Sequence, residues 1–405
     1  MPMKAFFKIL LLTVVSILFF SCTTTQTQDL TIYQNINDSI KKEYAPDKRV
    51  AVYDITIKKN QNKIVLKGES DQPKAVEALK QKLTGINIQI IDSVLILPDA
   101  SIGETKYAVV NNSVANIRSK GKHSGELATQ AILGTGLKVL KIVGFFYLIQ
   151  TPDAYISWVD HGGVTLMKPG EYLKWTNAPK IIYTQTWGYS YQDKNINSIK
   201  VSDLVLGAQL KLLSDEGKFY KVEYPDKRIA YVKKSESELY NKWIEEVKPS
   251  GELIEKYAYD FIGAPYLWGG TSTKGMDCSG FTKTVYLMNG FIIPRDASQQ
   301  INAGKNIDPD LKFENLQKGD LMFFGKKATD STKQRTTHVG IWLGNDKGEF
   351  IHEASQVRLS SINPESDYYD KGNTNRYLGS RRYLGEKDKM ITNLKTDKLL
   401  TEIKQ

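Results

Sequence analysis

The chain has 405 residues, 41% hydrophobic and 25% charged, with a formal net charge of +10 at pH 7. That length exceeds one ordinary core and calls for two to four domains, folded over most of the sequence. The positive charge is spread along the chain, without zinc-ligand spacing, a helix-turn-helix signal or a basic-aromatic stripe. No nucleic-acid partner is therefore expected, whereas an anionic surface or polymer is compatible.

Lys4 and Lys8 flank the start of a nearly all-apolar run over residues 9–20. It is too short to span a bilayer as a stable helix but fits the h-region of an export signal. Ser21-Cys22 at its end resembles a bacterial lipoprotein signal, in which the cysteine is lipidated and heads the mature protein. Residues 1–21 are then a signal peptide and 22–43 a tether; the alternative is an ordinary secretory signal in which Cys22 is incidental. The chain has two cysteines. With Cys22 given to lipid, Cys278 has no disulfide partner, an unusual state for a thiol in an exported protein.

Residues 44–105 read as a small α/β domain: two hairpin strands over 50–57 and 63–67, a helix over 73–83 with Val76, Leu79 and Leu83 on one face, and strand again over 86–97. No titratable cluster marks it, so a spacer or structural role is expected. Residues 106–180 change to short strands at 106–110, 136–143, 145–150 and 154–159, which suggests a small barrel. A second such unit, 181–240, has its clearest strands at 209–213, 219–223 and 228–232. Phe145-Phe146-Tyr147 followed by Tyr155-Ile156-Ser157-Trp158 is echoed by Lys218-Phe219-Tyr220 followed by Ile229-Ala230-Tyr231, a repeat signal.

The last folded unit, 241–385, begins with a helix over 253–261, a Gly-rich loop over 265–277 and a helix from Cys278 to Asn289. Strands follow at 320–324, 337–343, 349–353 and 381–384, an α+β order. The charged tail, 386–405, is expected to be mobile or a short surface helix, and the polar insertion over 325–337 to be a flap.

Asp277 is suited to cap the Cys278 helix, placing the sulfur at a helix start whose free amides and dipole favour a thiolate. Two of the four histidines lie downstream. Alternation puts His338 on one face with Gly340 and Trp342, and His352 on one face with Phe350, in neighbouring strands. Cys278, His338 and His352 have the types needed for nucleophile, base and orienting group. The same histidines are equally readable as core-edge residues, or as part of a metal site lacking a fourth ligand.

In order, Trp268-Gly269-Gly270, Asp277-Cys278-Ser279-Gly280, Pro294-Arg295-Asp296-Ala297-Ser298, the strand at 318–324, His338-Val339-Gly340-Ile341-Trp342 and Ile351-His352-Glu353-Ala354-Ser355 resemble the motifs of the NlpC/P60 cell-wall peptidases. The match covers about 251–384. It implies a papain-like fold with Cys278 as nucleophile, His338 as general base and later acid, and His352 orienting His338, the Cys278 amide helping to hold the oxyanion. Upstream, Val114-Ala115-Asn116-Ile117-Arg118 and Ser124-Gly125-Glu126-Leu127 together with two SH3-like barrels resemble the γ-D-glutamyl-L-diamino-acid endopeptidases. There an acidic residue and a tyrosine hold the free amine of an N-terminal L-alanine. Glu126 and Tyr155 match those positions, Asp277 would anchor the ammonium further with Ser279 beside it, and Trp268 would shape the cleft wall. Arg295 is expected to pair with Asp296.

The resulting expectation is a multidomain chain: an α+β papain-like catalytic domain preceded by two all-β SH3-like barrels and a small N-terminal α/β domain. It would be a cysteine endopeptidase cutting the bond between γ-D-glutamate and a diamino acid, meso-diaminopimelate, in peptidoglycan peptides with a free L-alanine. No metal or organic cofactor is implied. The protein would be exported and held to the membrane through Cys22, on the periplasmic face of a Gram-negative envelope. The rivals are an endopeptidase acting on intact or crosslinked stems and a non-catalytic wall-binding lipoprotein.

Overall fold

A computed structural model describes residues 30–60 and 63–397. The expected export signal and Cys22 lie outside the described residues, among which no helix is long and apolar enough to cross a membrane. The chain divides into two units at residue 100.

In the first unit, residues 30–44 form helix α1, inside the stretch expected to be a tether. Tyr33 and Ile40 are buried from it, so its apolar face makes it part of the core. Strands β1 (Tyr53–Asn60) and β2 (Lys63–Ser70) form an antiparallel hairpin with Tyr53 opposite Ser70. Helix α2 (Pro73–Thr84) carries the chain over to β3 (Gln89–Ile96), which lies parallel to β2. The parallel return needs a crossover of this length. Ala75, Val76, Leu79 and Leu83 close the core from α2, which has Pro73 in its first turn.

The second unit opens with β4 (Tyr107–Val110), β5 (Val114–Arg118), β6 (Leu127–Ile132), β7 (Gly136–Val143), β8 (Phe146–Gln150), β9 (Ile156–Asp160) and β10 (Val164–Met167). They make one seven-stranded sheet in the order β10-β4-β7-β8-β9-β5-β6. After helix α3 (Pro169–Asn177), seven more strands follow: β11 (Lys180–Tyr183), β12 (Trp187–Tyr191), β13 (Lys200–Val205), β14 (Gln209–Glu216), β15 (Phe219–Glu223), β16 (Ile229–Lys233) and β17 (Ser237–Leu239). Their order, β13-β12-β16-β15-β14-β11-β17, is that of the first sheet read from the other edge. Counterpart strands start at a constant offset of 73 positions: Tyr107 and Lys180, Leu127 and Lys200, Phe146 and Phe219, Val164 and Ser237. Even the irregularities recur, at Val139/Lys141 and Leu212/Ser214 and at Ile117/Arg118 and Ser190/Tyr191. One local pattern of bulges and turns has been used twice.

Helices α4 (Tyr240–Glu246) and α5 (Gly251–Tyr259) lead to a small hairpin of β18 (Thr271–Ser272) and β19 (Gly275–Met276), then to α6 (Cys278–Leu287). Ser250 caps α5 through the amide of Leu253. Strand β20 (Phe291–Ile292), helix α7 (Ala297–Gln300) and β21 (Lys305–Asn306) come next. The remaining strands are β22 (Leu321–Lys326), β23 (Arg335–Trp342), β24 (Glu349–Ala354), β25 (Gln356–Ser361) and, after helix α8 (Lys371–Asn375), β26 (Tyr377–Arg382). They form an antiparallel sheet ordered β21-β26-β22-β23-β24-β25.

One face of that sheet packs Phe323, Val339, Ile341 and Ile351 against Phe281 and Val285 of α6 and Phe261 after α5. Its other face carries Phe324, Trp342, Phe350 and Tyr377 under Leu311, Phe313 and Leu316. The insertion over 325–337 continues β22 and β23 as a hairpin closed between Thr329 and Thr332. The tail departs from expectation: Thr392–Asn393 forms β27, paired with β20, and Ile391 is buried in the core. Over the described part of the tail, Met390 and Leu394 pack beside Ile391, the Leu394 amide donates to the Gly290 carbonyl and Asp388 accepts the Gly304 amide, where charge content suggested solvent; residues 398–405 lie outside the described residues.

The first sheet of the second unit docks on the loop before α6. The Thr271 amide and hydroxyl bond to Gln130 of β6, at 2.9 and 3.2 Å. Gly269 has φ +80, and a Cβ there would stand 2.3 Å from the Leu127 carbonyl oxygen. Only glycine tolerates both the backbone and the approach. Gly269→Ala should cost about 1–3 kcal/mol in backbone strain, and more once Leu127 is displaced. Chemical denaturation checks it, and an unchanged midpoint would mean that the loop moves away without penalty.

Candidate active site

Cys278 is the first residue of α6, and the extended Asp277 before it accepts the Gly280 amide at 2.8 Å. The expected cap is formed. The other carboxylate oxygen accepts the Gly269 amide at 2.9 Å. Arg295 bridges both oxygens, at 3.0 and 2.6 Å, and is 1% exposed. It also donates to Ser279 Oγ and, through Nε, to Thr129 Oγ1 of β6, both at 2.9 Å. Arg295 thus spends its guanidinium on Asp277 rather than on Asp296, which caps α7. Burial alone would raise the Asp277 carboxyl, but the guanidinium more than cancels it and holds the acid below the usual range.

Around this pair stand the other residues expected to bind substrate. Glu126, in the loop before β6, is exposed and accepts the Trp268 indole N–H at 2.7 Å. Tyr155, buried just before β9, lies within electrostatic range of Arg295. Ser279 donates to Asp277 at 3.2 Å. Glu126, Tyr155, Trp268, Asp277 and Ser279 are therefore brought to one end of the helix start. They differ in what they have to offer. Both Asp277 oxygens are already occupied and its charge balanced, whereas the Glu126 carboxylate faces solvent with one indole donor.

On the opposite side, Phe324 pairs with His338, Gly340 with His352 and Trp342 with Phe350, so the two imidazoles share a sheet face. His338 Nε2 lies 2.7 Å from His352 Nδ1, and His352 Nε2 lies 2.9 Å from Ser360 Oγ of β25. This chain fixes the ring orientations and leaves His338 Nδ1 as the nitrogen available to a thiol. Gly340 keeps the space between them clear: a Cβ there would lie 3.1 Å from that of His352.

The resting charge state differs from expectation. Cys278 is 7% exposed, and burial, followed by the charge of Asp277, pushes its thiol up to about 12. The amides of Val339 and Ser279 act on the sulfur in the opposite sense but do not win. Burial, then His352 and Arg376, drives His338 well below its ordinary value, while burial and Arg358 bring His352 to about 3. The helix dipole is outweighed by desolvation, and thiol and imidazoles all rest neutral.

Two neighbours carry no expectation from the sequence. Tyr266 has its phenol raised to about 12 by burial and then by Cys278 and Asp277, so it stays a protonated donor beside the sulfur. Glu353, next to His352, is fully buried with no hydrogen-bond partner on either oxygen among the described residues, and burial raises it to about 7. A carboxylate directly after His352, in a strand whose Phe350 and Ile351 are apolar, was its only signal. Tyr266 had one too, two positions before Trp268 in the glycine loop.

The NlpC/P60 family pattern matches residues 263–382, and a bacterial dipeptidyl-peptidase SH3 domain pattern matches residues 117–163. A γ-D-glutamyl-L-lysine dipeptidyl-peptidase of Bacillus cereus is 32% identical over 272 residues, 65% of this chain and 77% of that protein. The chain belongs to the NlpC/P60 family. Dipeptidyl-peptidase 6 of Lysinibacillus sphaericus is 26% identical, over 67% of this chain and 98% of that protein. The crystal structure of an NlpC/P60 family protein from Bacillus cereus superposes with a TM-score of 0.59 at 26% identity, covering 69% of this chain and 99% of the other. The protein is thus a thiol-protease-type enzyme of α+β fold that carries an SH3-like β-domain.

Two outcomes follow from the electrostatics. Arg295→Met strands a buried carboxylate and should cost about 3–5 kcal/mol, with part regained in the double variant Arg295→Met/Asp277→Asn; equal loss in both by urea titration would deny the pairing energy. Iodoacetamide should alkylate Cys278 of the free enzyme more slowly at pH 7 than an unfolded thiol. The rate should climb about tenfold per pH unit through pH 8–10, since thiolate appears only toward the raised pKa. A rate already level below pH 7 would mean a resting thiolate.

Proposed function

We propose that this NlpC/P60 enzyme hydrolyses the amide between γ-D-glutamate and a diamino acid, meso-diaminopimelate, in peptidoglycan peptides that begin with free L-alanine. The coarser activity, endopeptidase action on peptidoglycan peptides, accompanies the family and its SH3-like domain. The observation that carries the finer reading is an exposed carboxylate hydrogen-bonded to the glycine loop that precedes Cys278. Glu126, held by Trp268, offers it beside the Cys278 helix start. An ammonium entering a partly closed site requires such a partner. Asp277, neutralised by Arg295, adds a hydrogen-bonding wall with Ser279; the net charge that selects the amine is that of Glu126, with the Tyr155 hydroxyl alongside. Substrate still amide-linked at that alanine has no charge to offer and is excluded.

In the reaction, the Cys278 S–H proton moves to His338 Nδ1 as the sulfur attacks the γ-carbonyl carbon. The Cys278 amide and the Tyr266 hydroxyl face the oxyanion. Protonated His338 gives its proton to the leaving nitrogen, the C–N bond breaks, and a thioester remains. His338 then takes a proton from water as the water oxygen bonds to the thioester carbon; the C–S bond breaks, the acid is released, and His338 returns the proton to the sulfur, restoring the thiol. His352, backed by Ser360, keeps His338 in register. A neutral thiol–imidazole pair makes this transfer within the complex, concerted with attack on the carbonyl, so that the developing charge passes to the oxyanion and its donors.

The constant 73-position offset and shared strand order favour a domain layout with a second SH3-like barrel over 181–240 after the first over 106–180. Export and lipidation at Cys22 complete the reading, placing the enzyme at the periplasmic face of an envelope. Cys278→Ala should lower turnover at least 10⁴-fold with folding unchanged. The deciding assay offers L-Ala-γ-D-Glu-meso-diaminopimelate beside its N-acetylated twin. Cleavage of the free-amine peptide alone, lost in Glu126→Gln through KM, is expected. Equal cleavage of both would make this an enzyme of attached stems.

A further inference from the structure

Beyond the histidines lies an open cleft of about 1050 Å³, bounded by the outer strand β25 and the segment before α8. It is continuous with the catalytic chain of hydrogen bonds: Ser360, which holds His352 at 2.9 Å, is one of its lining residues. Arg358 lines it too and stands directly across the ladder from His352. Directly opposed residues project from the same sheet face, so the guanidinium lies beside the imidazole pair. Its charge is felt by both histidines, as is that of Arg376, whose Nη1 is held by Thr337 next to His338.

Three charged side chains in this cleft, Arg358, Asp367 and Lys371, make no hydrogen bond or ion pair among the described residues. Elsewhere in the chain comparable groups are paired, as in Lys318–Glu255 and Arg382–Asp320. Half-exposed Ile262 and Tyr368 supply apolar surface in the same lining. The cleft therefore offers cations, one free carboxylate and an apolar floor together, a composition suited to an aliphatic stem that ends in an amino-acid head.

Reaction geometry says which part of the substrate reaches it. The leaving nitrogen must come within a hydrogen bond of His338, so the residue that follows the cut bond passes the histidine side of the site. From β23 to β25 is two strand spacings, about 10 Å. That gap is within the combined reach of an arginine and a lysine-length side chain.

Resting on the proposed cleavage, we infer that this cleft is the leaving-group subsite and that Arg358 selects a diamino acid whose side chain ends in a carboxylate as well as an ammonium. The guanidinium takes that carboxylate in a two-pronged hydrogen-bonded pair. Asp367 takes the ammonium, and Ile262 and Tyr368 cover the methylenes. A lysine side chain, with an ammonium alone, satisfies Asp367 and leaves Arg358 empty.

The test compares kcat/KM for L-Ala-γ-D-Glu-meso-diaminopimelate and L-Ala-γ-D-Glu-L-lysine in wild type, Arg358→Ala and Arg358→Lys. Wild type should prefer the diaminopimelyl peptide at least tenfold. Arg358→Ala should erase that preference through KM on the diaminopimelyl peptide; any change in kcat from removing a charge beside the histidines falls on both peptides alike, so the ratio of the two reports the subsite. Arg358→Lys should keep part of it. A wild type that prefers lysine, or a ratio unmoved by Arg358→Ala, overturns the subsite. Wild type cleaving neither peptide would overturn the proposed reaction itself, and the inference with it.

Discussion

The buried pair of Arg295 and Asp277 ties the catalytic unit together. Asp277 starts the helix that carries Cys278, and Arg295 fixes that start to Thr129 in the first SH3-like sheet. Desolvating two charges is expensive, and their attraction repays it only when the remaining hydrogen-bonding positions are filled. Here the Gly269 and Gly280 amides and the Ser279 and Thr129 hydroxyls fill them. The pair acts less as a source of net stability than as a register mark, since any slip between helix and sheet would strand a buried charge. Cys278 and the carboxylate of Glu126 are thereby held in one frame, although 152 positions separate them in the chain.

The same burial decides the resting chemistry. A sulfur at a helix start is usually discussed as a ready thiolate, yet here its enclosure and the adjacent Asp277 charge favour the protonated form. The histidines, closed in by Phe324 and Phe350, rest neutral for the same reason. In the proposed reaction, nucleophilicity is then created by proton transfer in the complex rather than stored beforehand. Because oxidation proceeds through the thiolate, a neutral, enclosed Cys278 is also poorly exposed to oxidants.

The two seven-stranded sheets show how one scaffold takes two roles. At the constant offset, Glu126 corresponds to Ile199, Tyr155 to Arg228 and Thr129 to Ser202. Strand order and bulges are kept, while the residues that face the helix start are not. The first copy supplies a wall of the cleft. In the second, Lys274–Asp203 and the close approach of Gly207 to Leu287 and Met288 attach it to the β18–β19 hairpin and the end of α6. Repeated backbone and divergent polar positions are what one expects when folding is encoded by alternation and turns, and binding by a few exposed side chains.

Much of this was legible in the sequence, because the signals are local. Alternation marked β22, β23 and β24, the period of Phe281, Val285 and Met288 marked α6, and the motif order gave Cys278, His338 and His352 as a set. Asp277 was readable as a cap from its place before the helix. What the sequence could not carry depends on contacts between distant segments. It left Arg295 beside its neighbour Asp296 when its partner was Asp277, and read the tail by its charge when Thr392–Asn393 closes on Phe291–Ile292. It took the dipole at the helix start as decisive, because burial, the larger effect, exists only once β23 covers the sulfur. Strand identity and residue type are set within a few positions of the chain; charge state, ion pairing and the shape of the leaving-group cleft are set by which surfaces tertiary packing removes from water.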